Sequence, residues 1–181
     1  MNIKLSTAKA STLETDLTVI PVREGSETGA ALRELGRELR TSIKDRAEAS
    51  GFRGKPGRRL LVQDGRRDVL LVGLGQGSSS EDWRRAAGVA ARAAAGTRAR
   101  TVAVCVGRSG AGRLESIVEG FVLASYRFDK YRSDAHEAYA GAKSLLVAGS
   151  DLGTAAMRQR LKRVMALCDA TSSARDLINE M

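Results

Sequence analysis

Few residues in this 181-residue chain have the types and spacing that chemistry requires. There is one histidine, His136, in a polar stretch with Asp134 and Glu137. An imidazole could move a proton or bind a metal, but a lone loop histidine reads as solvated surface. No run of Cys, His, Asp and Glu has metal-ligand spacing, so no metal ligand is expected in the chain. Ser78, Ser79 and Ser80 offer hydroxyls without the G-x-S-x-G elbow that exposes a nucleophile. Helix capping accounts for them better, and no catalytic residue is assigned. Cys105 in an apolar run and Cys168 on an apolar helix face read as buried thiols of a reducing compartment, not as a disulfide framework.

The strongest binding motif is the glycine turn Gly73-Leu74-Gly75-Gln76-Gly77. It follows the apolar run 69–72 and opens onto a helix. Such a turn can hold a phosphate, because free N–H groups and the helix dipole converge there. That reading makes Gly73, Gly75, Gly77 and Ser78 the candidate ligand-binding residues. Against it, Ser78 stands where the third dinucleotide glycine would fall, and the Lys-Ser/Thr ending of a P-loop is missing. The alternative is structural: the glycines adopt positive φ to reverse the chain. Ser78 then caps the helix, with Glu81 at the capping-box spacing.

Charge offers a second candidate. The formal net charge is +9 and the pI about 10.1, a balance that invites nucleic acid as a partner. Yet 23 of the 30 basic residues are Arg, and Ala and Gly are abundant, a bias that a GC-rich genome produces without any partner. The charges are also spread along the chain. The candidate nucleic-acid residues are Arg53, Lys55, Arg58, Arg59, Arg66 and Arg67, around an expected hairpin. With few aromatics to stack on bases, DNA binding there would be weak and salt-sensitive. Arg158, Arg160, Lys162 and Arg163 form a basic helix segment that reads as a solvated face.

The elements that must position these residues follow from periodicity. Strands are expected at 2–7, 17–22, 59–63, 68–72, 101–106 and 143–148. Asp64-Gly65 signals a hairpin between the third and fourth. One helix should carry Leu32, Leu35, Leu39 and Ile43 on a single stripe and end near Gly51. A second should run from 78 to 95, with Trp83 as a packing anchor. A third should start at a Ser116/Glu119 capping box. A fourth should start near 151, bury Met157, Leu161, Val164, Met165 and Cys168, and break near Ser172. The alternation argues α/β: a three-layer sandwich with a mixed, mostly parallel sheet and helices on both faces. A chain of this size can bury ~70% of its unfolded surface without staples. No apolar run approaches the ~20 residues of a membrane span. The N-terminus lacks a signal-peptide core, so the cytoplasm is the expected location and no membrane partner is expected.

Three stretches together resemble one family. They are VLLVGLG (69–75) with EDWRRAAG (81–88), EGFVLASYRFDKYRS (119–133) and ARDLINE (174–180). In order and spacing they are similar to the N-terminal domain of the leucyl aminopeptidases, the two-metal cytosol aminopeptidases. The resemblance covers nearly the whole chain. It implies a macro-domain-like fold over 1–150 and a C-terminal helix over 151–181 leading toward a catalytic domain absent from this chain. It also implies that two divalent metals, zinc or manganese, and all catalytic residues lie in that domain, since no position here matches them. The implied partners are the catalytic domain and the other subunits of a hexamer; some members bind DNA. The macro-like fold extends the ligand reading of the turn to ADP-ribose, by fold analogy alone. One departure is Met181 after Asn179-Glu180, where the family usually has proline.

Overall fold

The computed structural model describes residues 1–26, 31–63, 67–107, 111–131 and 141–180. The strands are β1 (Asn2–Ser6), β2 (Leu17–Arg23), β3 (Arg59–Gln63), β4 (Asp68–Gly75), β5 (Thr101–Cys105) and β6 (Ser144–Ala148). The helices are α1 (Arg37–Ala49), α2 (Ser80–Thr97), α3 (Ala111–Ala124) and α4 (Ala155–Asn179). The strands form one sheet in the order β1-β6-β5-β2-β4-β3. All pairs are parallel except β3 with β4, the expected hairpin, whose turn at 64–66 lies outside the described residues. Among the described residues the edge strand β1 pairs only with β6, Asn2 opposite Ser144 and Ser6 opposite Ala148.

Alternation along the strands sends side chains to two cores. Leu17, Val19, Leu70, Val72, Val102, Val104, Leu145 and Val147 face α2, α3 and α4. Ile20, Val22, Val62, Val69 and Leu71 face α1, with Leu32, Leu35 and Phe52. Ala103 and Ala148 on that second face are met only by Leu13 among buried residues, in a small third cluster. The three-layer α/β arrangement with helices on both faces is therefore present.

Several local expectations need correction. The stripe Leu32, Leu35, Ile43 is buried, but not on one helix: a 3₁₀ turn, Leu32–Glu34, is followed by extended Gly36 (φ −59, ψ 153), and only then does α1 begin. Glycine at that step favours the interruption over a continuous helix. α1 does end as expected. Gly51 takes φ +65, its N–H donates to Glu48 O (3.0 Å) and that of Phe52 to Ala47 O (2.9 Å), the Schellman pattern. α3 begins at Ala111, so Ser116 is no cap; its hydroxyl donates back to Gly112 O (2.7 Å). α4 runs unbroken through Ser172, and the Thr171 hydroxyl is satisfied by Leu167 O (2.9 Å). Val164 and Cys168 are its buried residues, with Met157, Leu161 and Met165 packed beside them.

Candidate functional site

β4 continues three residues past Val72 and carries the glycine turn at its end. Gly73 belongs to the strand and does not take positive φ; Gly75 (φ +66) and Gly77 (φ +62) do. Gly73 is small for another reason. A Cβ there would lie 2.8 Å from the carbonyl carbon of Gly54 and nearer still to the Lys55 oxygen. The loop 54–58 lies directly on the strand end. Gly73 N–H donates to Arg58 O (2.8 Å) and Gly75 N–H to Gly54 O (2.9 Å). The Gly77 carbonyl accepts from Trp83 Nε1 (3.2 Å) and Arg23 Nη2 (3.4 Å). Trp83 is the expected anchor, buried and overlaid by the Arg113 guanidinium at 5.0 Å.

The helix cap is shifted by one residue from the sequence expectation. Ser79, not Ser78, is the N-cap: its Oγ accepts from Asp82 N–H (3.1 Å), and Asp82 Oδ2 accepts from Ser79 N–H (3.2 Å). The capping box is thus Ser79/Asp82, because α2 starts at Ser80 and its third residue is Asp82. The hydrogen bond from the Ser79 backbone holds the Asp82 carboxyl below its usual range. That carboxylate already complements the positive helix end. Glu81 is free to turn outward and pair with Arg84 (2.6 Å) and Arg85 (2.7 Å). Ser78 is exposed.

The basic candidates separate. Arg53, Lys55, Arg58 and Arg59 are exposed and line one groove of about 640 Å³ beside the C-terminal end of α1. Arg67 sits at the other end of the β3–β4 ladder, where Gln63 pairs with Asp68, while Arg59 pairs with Val72. Its guanidinium turns inward to the carbonyls of Ala10 (3.1 Å), Leu13 (3.3 Å) and Ser11 (3.4 Å). It ties down the 3₁₀ turn Ala10–Thr12 and does not join the other four. Arg66 and His136 lie outside the described residues. On α4, Arg158, Arg160, Lys162 and Arg163 are exposed, and Arg160 pairs with Glu115 (3.3 Å). Among the described residues no three His, Cys, Asp or Glu lie together in a way that could hold a metal. No helix among them is long and apolar enough to cross a membrane.

Sequence reading missed a connected network. Arg84 Nη2 pairs with Glu119 (2.9 Å), and burying a Cβ at Gly120 would clash with the Arg84 backbone. Two residues further into 119–133, Phe121 is fully buried. Midway along it Tyr126 Oη donates to Asp176 Oδ1 (2.7 Å), and Asn179 Nδ2 donates to Tyr126 Oη (3.3 Å). Arg175 lies over the Tyr126 ring at 5.4 Å and donates to Leu123 O (3.1 Å); Lys130 pairs with Glu180 (2.6 Å). The stretches EDWRR, EGFVLASYRFDKY and ARDLINE therefore touch in succession. The signal was available in the recurrence of charged and small residues at these positions, but no local periodicity reveals contacts across 35 to 50 residues.

The model of the cytosol aminopeptidase family, N-terminal domain, matches residues 19–135. The probable cytosol aminopeptidase of Desulfotalea psychrophila is 32% identical over 91% of this chain, and that of Syntrophotalea carbinolica 30% identical over 99%. This chain spans only 36% and 39% of those two proteins. Among solved structures, a mutant of tomato leucine aminopeptidase shares the fold, with a TM-score of 0.83 at 23% identity, over 93% of this chain and 36% of that one. The bottromycin maturation enzyme BotP, also solved in complex with Mn, has a TM-score of 0.65 at 28% identity, over 91% of this chain and 32% of its own. Two stretches of the contact network, 81–85 and 119–131, fall within the matched region and the third, 174–180, lies beyond it; the fold is shared with the solved relatives. The chain belongs to the cytosol aminopeptidase family, as its N-terminal domain.

Proposed function

We propose that this chain is a non-catalytic accessory domain of a two-metal leucyl aminopeptidase acting in the cytosol, and that its role is to pack on the catalytic domain and support a hexamer. The observation that carries the reading is the family match over 19–135, joined to relatives of which this chain spans little more than a third. The described residues do not fit a two-metal centre, since no suitable cluster of ligands occurs among them. The metals, whose chemistry would be to activate a water and polarise the scissile carbonyl, belong in this reading to the catalytic domain. What this chain supplies is surface. Leu167, Leu177 and Ile178 on α4 are each more than 60% exposed, apolar surface that a packing partner would cover.

The test compares two preparations. The 181-residue chain, freed of contaminating peptidase, should release no p-nitroaniline from leucine-p-nitroanilide with added Mn²⁺ or Zn²⁺. The native polypeptide that carries this sequence, captured from its source with an antibody to the domain, should release it in a metal-dependent way. Turnover by the short chain, or none by the captured polypeptide, overturns the proposal.

A further inference from the structure

The edge strand β3 carries a row of backbone groups that no described residue meets. Two hydrogen bonds fix the phase of its ladder. Gly73 N–H donates across to Arg58 O (2.8 Å), while Asp68 N–H turns away from β3 to Asp16 O (3.1 Å). Bonded and non-bonded pairs alternate along an antiparallel ladder. The register therefore makes Leu60 with Leu71, and Val62 with Val69, the bonded pairs. The N–H and C=O groups of Arg59, Leu61 and Gln63 point out of the sheet, and among the described residues they find no partner. Their side chains are exposed, Leu61 included. Natural edges are often closed by proline, a bulge or a covering element. β3 has no proline, and its register with β4 runs without a shift. The groove of about 640 Å³ reaches this edge, since Arg59 and Leu60 are part of its lining. Arg53, Lys55 and Arg58 line it too, and no acidic side chain does. None of these four cations makes an ion pair with a described residue.

We propose that β3 receives an extended segment of a partner protein as a seventh strand. The segment is apolar where it meets Leu60, Leu61 and Val62, and acidic where it meets Arg58 and Arg59. Main-chain bonds to residues 59, 61 and 63 supply the affinity, and side chains on alternate faces supply the choice of partner. The added strand runs antiparallel to β3, the direction that is slightly more stable per residue. Its acidic end then lies at the groove, where guanidinium groups can take carboxylates in pairs. The receiving edge is preformed: Gly73 and Gly75 amides pin the loop that carries Lys55 and Arg58 to β4, so little ordering is lost on binding. A second copy of the chain fits less well. Each copy carries +9, and pairing β3 with itself gathers the cations of both at one interface. The inference rests on this edge and not on the aminopeptidase reading.

The experiment titrates the 181-residue protein into a fluorescein-labelled peptide, TVLVEE with both ends blocked, and follows anisotropy. In the antiparallel register its threonine lies opposite Gln63, its leucine opposite Leu61 and its glutamates opposite Arg59 and Arg58. Binding should saturate. A methyl on the leucine nitrogen, which faces β3, should weaken it about tenfold or more. A methyl on the nitrogen of the valine just before it, which faces away, should leave it unchanged. Leu61→Pro removes one outward donor, at a place where an edge strand accepts proline, and should lose the peptide while still folded by its melting temperature. Arg58→Glu with Arg59→Glu leaves the backbone alone and should reverse the preference, so that TVLVKK binds and TVLVEE does not. Failure of the wild type to saturate below about 1 mM peptide overturns the proposal. So does binding that ignores which nitrogen is methylated, which would mean that charge alone holds the peptide. So does an unreversed preference in the double variant. Self-association that Leu61→Pro abolishes would overturn it too, by assigning the edge to a second copy.

Discussion

A methyl group at position 120 measures how hard the two central helices press on each other. Gly120 of α3 faces the backbone of α2, and its added Cβ would lie nearest the Arg84 carbonyl oxygen, 2.9 Å from the Arg84 carbonyl carbon and 3.0 Å from its Cα. Carbon atoms ordinarily approach to about 3.5–4.0 Å, so α2 and α3 must part by roughly 0.6 Å or more. The opposing atoms are backbone and cannot rotate aside. Parting the helices also stretches the Arg84–Glu119 pair and loosens Ala87, Val118 and Phe121, all buried here. Overpacking of this kind costs about 1–3 kcal/mol, and the better helix propensity of alanine returns up to about 1 kcal/mol. Gly120→Ala should therefore destabilise the domain by about 2 kcal/mol, a fall in Tm of about 4–8 °C for a chain of this length. Gly96→Ala is the control: it lies in α2 with no heavy atom within 4 Å of its Cβ, and should gain up to about 1 kcal/mol. Thermal and urea unfolding of both variants decide the matter. A Gly120→Ala protein that melts at or above the wild type would show that the helices do not meet as described.

The remaining predictions concern the cap, a strand junction and a thiol. Ser79→Ala should cost about 1 kcal/mol, and Ser78→Ala a few tenths at most, by urea unfolding; equal losses would contradict the Ser79/Asp82 box. The Asp16 carboxylate accepts the backbone N–H groups of Arg100 and Thr101, both at 2.8 Å, and the bond from Thr101 leads the effects that hold its pKa below the usual value. A depressed folded pKa gives stability that is present above the unfolded pKa and lost as pH falls through the folded one. Asp16→Asn should thus lower Tm at neutral pH, and the gap should close on acidification below the ordinary carboxylate range; a gap independent of pH would refute the assignment. Cys168 is 1% exposed, and burial pushes its thiol up to about 11. In a Cys105→Ser protein it should resist a thiol reagent at pH 8 until denaturant is added, and rapid labelling of the native form would show that the α3–α4 contact opens readily.

What the sequence disclosed depended on how far a contact reaches along the chain. The six strands were legible because 69–72, 101–106 and 17–22 are apolar runs of strand length, and buried parallel strands need such runs. The Leu32–Ile43 stripe was legible as a buried face, but its division at Gly36 was not, because a 3.6-residue period does not register one extended residue. The cap erred by one position because three serines in succession offer equivalent hydroxyls, and only the start of α2 chooses among them. The glycine turn was legible as a turn. That Gly73 makes room for the Lys55 carbonyl, while Gly75 and Gly77 supply positive φ, depends on a loop eighteen residues earlier. The basic candidates divide for the same reason: Arg67 lies close to Arg58 and Arg59 in sequence, but the β3–β4 ladder carries it to its far end.

The pairing of β1 with β6 has a consequence for synthesis. Asn2–Ser6 leaves the ribosome long before Ser144–Ala148, its one partner strand among the described residues. At about 5–20 residues per second, the two strands emerge roughly 7–28 s apart. Throughout that interval Ile3 and Leu5, which pack against the main core in the finished protein, have no strand beside them. The middle of the sheet, β2 with β4 and β5, can close before β6 exists, since all its members precede residue 106. The N-terminal strand is then the last to dock, across the longest loop in the sheet. A short apolar edge waiting that long is the segment of the nascent chain most in need of protection from other strands.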